Sequence, residues 1–245
     1  MDASNSPKSC VVLFSGGMDS TVVLYHAIRN YDIITALLID YGQRNVTEIA
    51  IASNTIVSLL DKEQKSIGFQ KIEVPLKSIG FKSALTQTDI AVPKMKEVIG
   101  DPQNDAYVPN RNMIFLSLAV GMAESYDADT VLYGAAKADD TSGFWDCTPG
   151  FRNRLNIILS LNRRNQIKIE TPLIEKTKKE IIEYGVELGV DFTKTRTCYT
   201  EHLQACGECP SCSARLAGFV QAKLIDPINY SRKIDWSKYN CVEIK

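Results

Sequence analysis

Apolar residues along the chain fall in short continuous blocks that alternate with stretches repeating every three to four positions, the pattern of strands joined by helices. Residues 10–14, 33–40, 71–75, 130–134 and 167–170 read as strands, and 20–29, 47–60, 112–125, 151–161 and 176–188 carry helical spacing. Between 76 and 106 the periodicity fades, interrupted by Pro93, Gly100 and Pro102, which predicts an insertion or an active-site flap. Strands separated by helices of this length predict an α/β fold with a mainly parallel sheet covered on both faces, because each return to the same edge needs a crossover. Ligands of such sheets bind beyond the C-terminal strand ends. That rule gathers residues 15–20, 40–44 and 134–147 into one crevice. A main domain is expected over 1–190, with a small metal-binding segment over 191–245 packed on it.

The first strand runs directly into Phe14-Ser15-Gly16-Gly17-Met18-Asp19-Ser20-Thr21. A strand that ends in Ser-Gly-Gly-x-Asp-Ser and turns into a helix presents unpaired backbone NH groups and a positive helix end to one small volume, which suits a pyrophosphate. Gly16 and Gly17 let the backbone approach phosphate oxygens, the hydroxyls of Ser15, Ser20 and Thr21 add donors, and Asp19 is placed to help hold a magnesium ion. The plainer reading is a glycine-rich turn in which Asp19 or Ser20 caps the helix. The string is not the phosphate loop of kinases and GTPases, since no Lys follows the second glycine.

Composition narrows the partner class. The chain has 245 residues, 44% of them hydrophobic, and a formal net charge of −1. It has no general basic field for duplex nucleic acid or anionic membranes, so a small-molecule substrate is expected. No apolar stretch approaches the roughly 18 residues needed to span a bilayer, and the polar start lacks the apolar core of a signal peptide. A cytoplasmic protein is expected.

Four of the seven cysteines cluster at Cys198, Cys206, Cys209 and Cys212, with two Cys-x-x-Cys steps shaped by Gly207 and Pro210. This is metal-ligand spacing, and zinc is favoured over an iron–sulfur cluster because nothing else in the chain suggests redox work. Four protein ligands make a closed, structural site that does not activate water. Cys10 reads as a small buried residue, and His26 and His202 as ordinary packing or surface histidines.

The loop at 14–21 resembles the PP-loop of the N-type ATP pyrophosphatases, which cleave ATP between the α and β phosphates. More of the chain resembles the QueC family of that superfamily, the 7-cyano-7-deazaguanine synthases. The motifs that carry the resemblance are Phe-Ser-Gly-Gly-Met-Asp-Ser-Thr at 14–21, Asp-Tyr-Gly-Gln-Arg at 40–44 with Glu48, and Val-Pro-Asn-Arg-Asn at 108–112 followed, after Met113, by Ile-Phe-Leu-Ser-Leu-Ala. Further on come Ser-Gly-Phe-Trp-Asp-Cys at 142–147, Thr-Pro-Leu at 171–173 with Lys178, and Cys-Tyr at 198–199 leading to Cys-Gly-Glu-Cys-Pro-Ser-Cys at 206–212 with Arg215.

The resemblance implies a Rossmann-like, adenine nucleotide alpha hydrolase-like fold, usually a homodimer, that uses ATP, Mg2+ and Zn2+. It implies that the carboxylate of 7-carboxy-7-deazaguanine is adenylated, that ammonia converts the acyl-adenylate to an amide, and that a second adenylation with loss of AMP gives the nitrile. Implied nucleotide contacts are Phe14, Ser15, Gly16, Gly17, Met18, Asp19, Ser20, Thr21, Asp40, Gln43, Arg44 and Gly134. Asp19, Arg111 and Lys178 are the candidates for catalysis, although Lys178 also fits a solvated helix face beside Lys176 and Lys179. Asn112, Asp139, Asp140, Phe144, Trp145 and Asp146 are the candidates for a guanine-like base, supplying hydrogen-bond partners and a flat wall, with plain loop packing as the alternative for the two aromatics.

The chain departs from the family where Tyr-Pro-Asp-Cys-Arg followed by an acid and Phe is usual. Here the stretch is Phe144-Trp145-Asp146-Cys147-Thr148-Pro149-Gly150-Phe151. Residues 134–143 run one longer, Asn110 stands where Gly is usual, and Asn45 where His is common. Two other readings therefore stay open. One is adenylation of a deazaguanine acid that stops at the amide or passes to an amine of another molecule, including a protein. The other is a non-catalytic binding protein built on the cysteine knuckle.

Overall fold

The computed structural model describes residues 7–60, 66–98, 101, 104–136, 144–163 and 166–244. Five strands, β1 (Ser9–Leu13), β2 (Ile33–Asp40), β3 (Ser66–Glu73), β4 (Thr130–Leu132) and β5 (Lys168–Glu170), form one sheet in the order β3-β2-β1-β4-β5. Every neighbouring pair is parallel, with Val12 opposite Ala36 on β2 and Leu132 on β4. The helices are α1 (Met18–Asn30), α2 (Val46–Leu60), α3 (Met95–Val98), α4 (Arg111–Ser125), α5 (Pro149–Leu159), α6 (Lys178–Glu187) and α7 (Pro210–Gln221).

Successive strand residues point to opposite faces, and each face has its own core. Cys10 and Val12 pack with Ile34, Ala36 and Leu38 under α1 and α6. Val11, Leu37, Ile39 and Val131 pack on the other face with Leu116, Ala119 and Phe151 from α4 and α5. Because both faces are covered, the inner strands read as unbroken apolar runs rather than alternating ones. That is why the sequence revealed them.

The edges behave differently. The third strand starts at Ser66, five positions ahead of the expected 71–75, because Gly68, Gln70 and Lys71 give an edge strand too polar to show as an apolar run. At the other edge, the Asn156 side chain on α5 donates to the Ile169 carbonyl at 3.0 Å and accepts from the Ile169 NH at 2.8 Å, so an amide takes the place of a sixth strand.

Residues beyond 75 make a packed excursion with its own small core of Leu76, Leu85, Ala106 and Val108, carrying the single turn α3. The cysteine segment contains α7, a helix the spacing of its apolar residues did not announce. Cys209 caps it by accepting from the Cys212 NH at 3.5 Å, with Pro210 in the first turn. A buried guanidinium fixes α7 in place. Arg215 makes a bidentate pair with Asp226 at 2.7 and 2.8 Å, and donates to Thr195 Oγ1 at 2.7 Å. No helix among the described residues is long and apolar enough to cross a membrane.

Candidate functional site

Strand order reverses between β1 and β4, and a crevice opens at the carboxyl ends of those two strands. A cavity of about 310 Å³ lies there, and Ser15, Gly17, Asp19, Glu48, Arg111 and Lys178 are among its walls. Phe14, Ser15 and residues 17–20 arrive from β1, Gln43 and Glu48 from the turn and helix after β2, and Tyr133 and Gly134 from β4.

The glycine-rich loop is braced by its own side chains. Ser20 Oγ accepts from the Ser15 NH at 3.2 Å and lies 3.1 Å from both the Gly17 carbonyl and Ser15 Oγ, while Thr21 Oγ1 donates to the Gly17 carbonyl at 2.8 Å. Gly17 is the N-cap of α1 and receives no side-chain cap, so the capping reading of Asp19 or Ser20 does not hold. Among the described residues no side chain takes the first amides of α1, which leaves them available to an anion in the cavity. The two glycines do different work. Gly16 sits at φ +83° and a Cβ there would lie 2.9 Å from Ala52 Cβ, whereas Gly17 has an ordinary extended backbone and would bring a Cβ against Ser15 Oγ at 3.1 Å. Gly134 passes close to the loop from β4, where a Cβ would stand 3.4 Å from the Ser20 NH nitrogen.

Lys178 is no solvated lysine. A capping box between Thr177 and Glu180 starts α6 and points Lys178 inward, where Nζ meets Asp19 Oδ2 at 2.7 Å with 12% of its side chain exposed. The other oxygen, Asp19 Oδ1, is buried and has no hydrogen-bond partner among the described residues. Arg111 opens α4, donates to the Tyr41 hydroxyl at 3.3 Å and lies over the Tyr41 ring at 5.6 Å. Glu48, in the first turn of α2, lines the same cavity within the field of Arg111 and Arg196, with Ser15 as a hydrogen-bond partner. Burial pushes its carboxyl up to about 7.

The candidates for the nucleotide and base divide. Phe14, Ser15, Gly17, Met18, Asp19, Ser20, Gln43 and Gly134 line the cavity, as do Asn112 and Phe144. Thr21 is buried behind the loop, and Gly16 carries the turn rather than the wall. Asp40 faces away, pairing with Lys71 at 3.2 Å and accepting from the Gly42 NH. Arg44 points toward the excursion, donating to the Ile90 carbonyl at 3.2 Å and lying 3.9 Å from Glu201. Trp145 packs its edge against Phe151 and donates to the Tyr107 hydroxyl at 3.1 Å, so loop packing describes it, while Tyr107 stacks with Phe144. Asp146 is buried beside Asn112, and desolvation raises its carboxyl above the ordinary range. Asp139 and Asp140 lie outside the described residues. Sequence reasoning quoted Glu48 and Tyr41 in motifs and noted Asn45 without giving any of them a role, and missed Arg196; Tyr41 with Arg111, and Asn45 with Cys198 and Arg196, meet only across long stretches of chain.

The sulfur atoms of Cys198, Cys206, Cys209 and Cys212 all lie within 4.8 Å of one another, and those of Cys206 and Cys212 are 4.0 Å apart. Four thiolates at about 2.3 Å from one zinc ion stand roughly 3.8 Å apart, so the donor set fits zinc. Backbone NH groups of Cys206, Glu208 and Cys209 point at the sulfurs at 3.3, 3.4 and 3.3 Å, the arrangement that supports thiolate charge. This cluster is tied to the nucleotide loop by Arg196. Its NH donates to the Gly16 carbonyl at 2.9 Å, and its guanidinium donates to the carbonyls of Thr200, His202 and Leu203 and to Asn45 Oδ1. Asn45 in turn donates to the Cys198 carbonyl at 2.7 Å.

The family model for queuosine biosynthesis protein QueC matches residues 9–223. A 7-cyano-7-deazaguanine synthase of Thermoplasma volcanium is 39% identical over 244 residues, covering 98% of each chain. The enzymes of that name from Citrifermentans bemidjiense and Polynucleobacter asymbioticus are 40% and 41% identical, covering 92% and 91% of this chain and 99% and 92% of their own.

Proposed function

The chain belongs to the QueC family, and on that premise we propose that it converts 7-carboxy-7-deazaguanine to 7-cyano-7-deazaguanine with ATP and ammonia. The observation that carries this reading is the meeting, in one cavity, of the free amides at the start of α1 with Arg111 and Lys178. A carboxylate is a poor electrophile because its oxygen leaves badly. Joining that oxygen to AMP creates a good leaving group and removes the charge that repels a nucleophile. The amides after Gly17 hold the departing pyrophosphate, and the two cations, already in place, stabilise charge on the phosphates with little reorganisation.

The buried and unpartnered Asp19 Oδ1 fits a magnesium ligand. Magnesium bound there supplies charge neutralisation to the phosphates. Cys198, Cys206, Cys209 and Cys212 would hold zinc, in a closed site that shapes the segment over the cavity and leaves no position for substrate. Phe144 offers the flat wall for the deazaguanine ring, and Asn112 a polar contact. Assembly as a homodimer is supported by α4 and α5 and the residues just past their ends, which expose Leu118, Tyr126, Ile157, Ile158 and Leu161.

The test is direct. With ATP, magnesium and ammonium, 7-carboxy-7-deazaguanine should trigger pyrophosphate release and yield a product with the mass of the nitrile. Absence of acid-dependent release, or accumulation of amide without nitrile, overturns the reading.

A further inference from the structure

Nitrogen transfer raises a problem that the phosphate-binding parts of the site do not solve. At neutral pH ammonia is carried almost wholly as ammonium, which has no lone pair, so a group in the cavity has to take its proton. Among the described residues lining the cavity there are two carboxylates and no histidine. One carboxylate, Asp19, is held at 2.7 Å by Lys178 and is the magnesium candidate. The other is Glu48.

Its placement suits the task. Glu48 stands in the first turn of α2 and reaches across to the nucleotide loop, where its Oε1 would be 3.5 Å from a Cβ on Gly17. It therefore faces the same small volume in which the acyl-phosphate bond would be made and broken. No ion pair to Glu48 forms within the described residues. Ser15 is its hydrogen-bond partner, and the charged or titratable groups that face it are Arg111 from α4, Arg196 and Cys198 from the cysteine segment, and Tyr41 from the turn after β2.

We infer that Glu48 is the proton acceptor that turns ammonium into the attacking ammonia, an inference that rests on the function proposed above. Ammonium gives one proton to the Glu48 carboxylate. The freed lone pair forms the carbon–nitrogen bond at the acyl carbon. The carbon–oxygen bond to AMP breaks with its electron pair leaving on the phosphate, the surplus proton on nitrogen passes to that phosphate, and Glu48 returns its own proton to solvent. Burial adds to the geometry: a carboxyl raised to about 7 is matched to a proton transfer near neutral pH.

Glu48→Gln keeps the shape and hydrogen bonding of the side chain and removes the base. Acid-dependent ATP–pyrophosphate exchange reports adenylation, and amide formation per acyl-adenylate reports nitrogen transfer. In Glu48→Gln that second quantity should fall about 100-fold at pH 7. It should recover as pH rises and free ammonia replaces ammonium, and with hydroxylamine, which is already unprotonated at pH 7, the loss should shrink to a few-fold. Glu48→Asp should restore part of the transfer, and a cooperative thermal melting transition shows that each variant is folded. Wild-type amide formation by Glu48→Gln across the pH range, or equal losses with ammonium and hydroxylamine, overturns the inference alone. Absence of exchange in the wild type overturns the proposed function and this inference with it.

Discussion

Asp19 and Lys178 lie 159 positions apart in sequence and meet at 2.7 Å in the wall of the cavity. The contact joins the nucleotide loop to the first turn of α6, so one ammonium both orients the loop carboxylate and lines the cavity. Lys178→Ala should lower acid-dependent pyrophosphate release about 100-fold, the usual effect of deleting one well-placed electrostatic donor. Steady-state assays check this. Lys178→Arg should recover little, because a planar fork does not replace a compact ammonium in this space.

The left-handed turn at Gly16 is required by two independent constraints, its φ of +83° and the 2.9 Å approach of Ala52 Cβ. Gly16→Ala should abolish ATP binding in calorimetry and lower the melting temperature. Gly80 also has a positive φ, +95°, with open space around it. Gly80→Ala should cost only about 1 kcal/mol and leave ATP binding intact.

Because Arg196 links the knuckle to the Gly16 carbonyl, metal loss should be felt in the nucleotide loop. Elemental analysis should find one zinc ion per chain. Chelation or Cys206→Ser should reduce both the melting temperature and the affinity for ATP, measured by calorimetry. Unchanged ATP affinity in a folded, zinc-free protein would separate the two sites.

Stability should also depend on Glu48. Its carboxyl is raised from an ordinary value of 4.5 to about 7, so the folded protein binds more protons than the unfolded chain between those limits. The contribution is fully present below about pH 4.5 and is lost as pH rises through about 7. Denaturant unfolding should therefore show a downward slope in this window that Glu48→Gln flattens.

Contiguous signals were legible in the sequence. Residues 14–21 and the cysteine string each place their reactive groups within a few positions of one another, so local spacing nearly fixes the geometry. The parallel sheet was legible too, because its central strands are buried on both faces and read as apolar runs. What stayed hidden depends on distant partners. Lys178 stands close in sequence to Lys176 and Lys179, and only the fold brings Asp19 to it. Arg196 looks like any basic residue until the chain folds its guanidinium over the 200–203 carbonyls. Trp145 resembles a stacking platform in sequence, yet its ring is already taken by Tyr107 and Phe151. Asp40 and Arg44 sit in a loop that points the right way while their side chains turn to Lys71 and Ile90.

The amide of Asn156 has a further consequence for association. By answering both main-chain groups of Ile169, it leaves the middle of the outermost three-residue strand with no hydrogen-bonding capacity for a foreign chain. Intermolecular strand addition is therefore opposed at the middle of that margin, which leaves the polar β3 edge as the opposite border of the sheet.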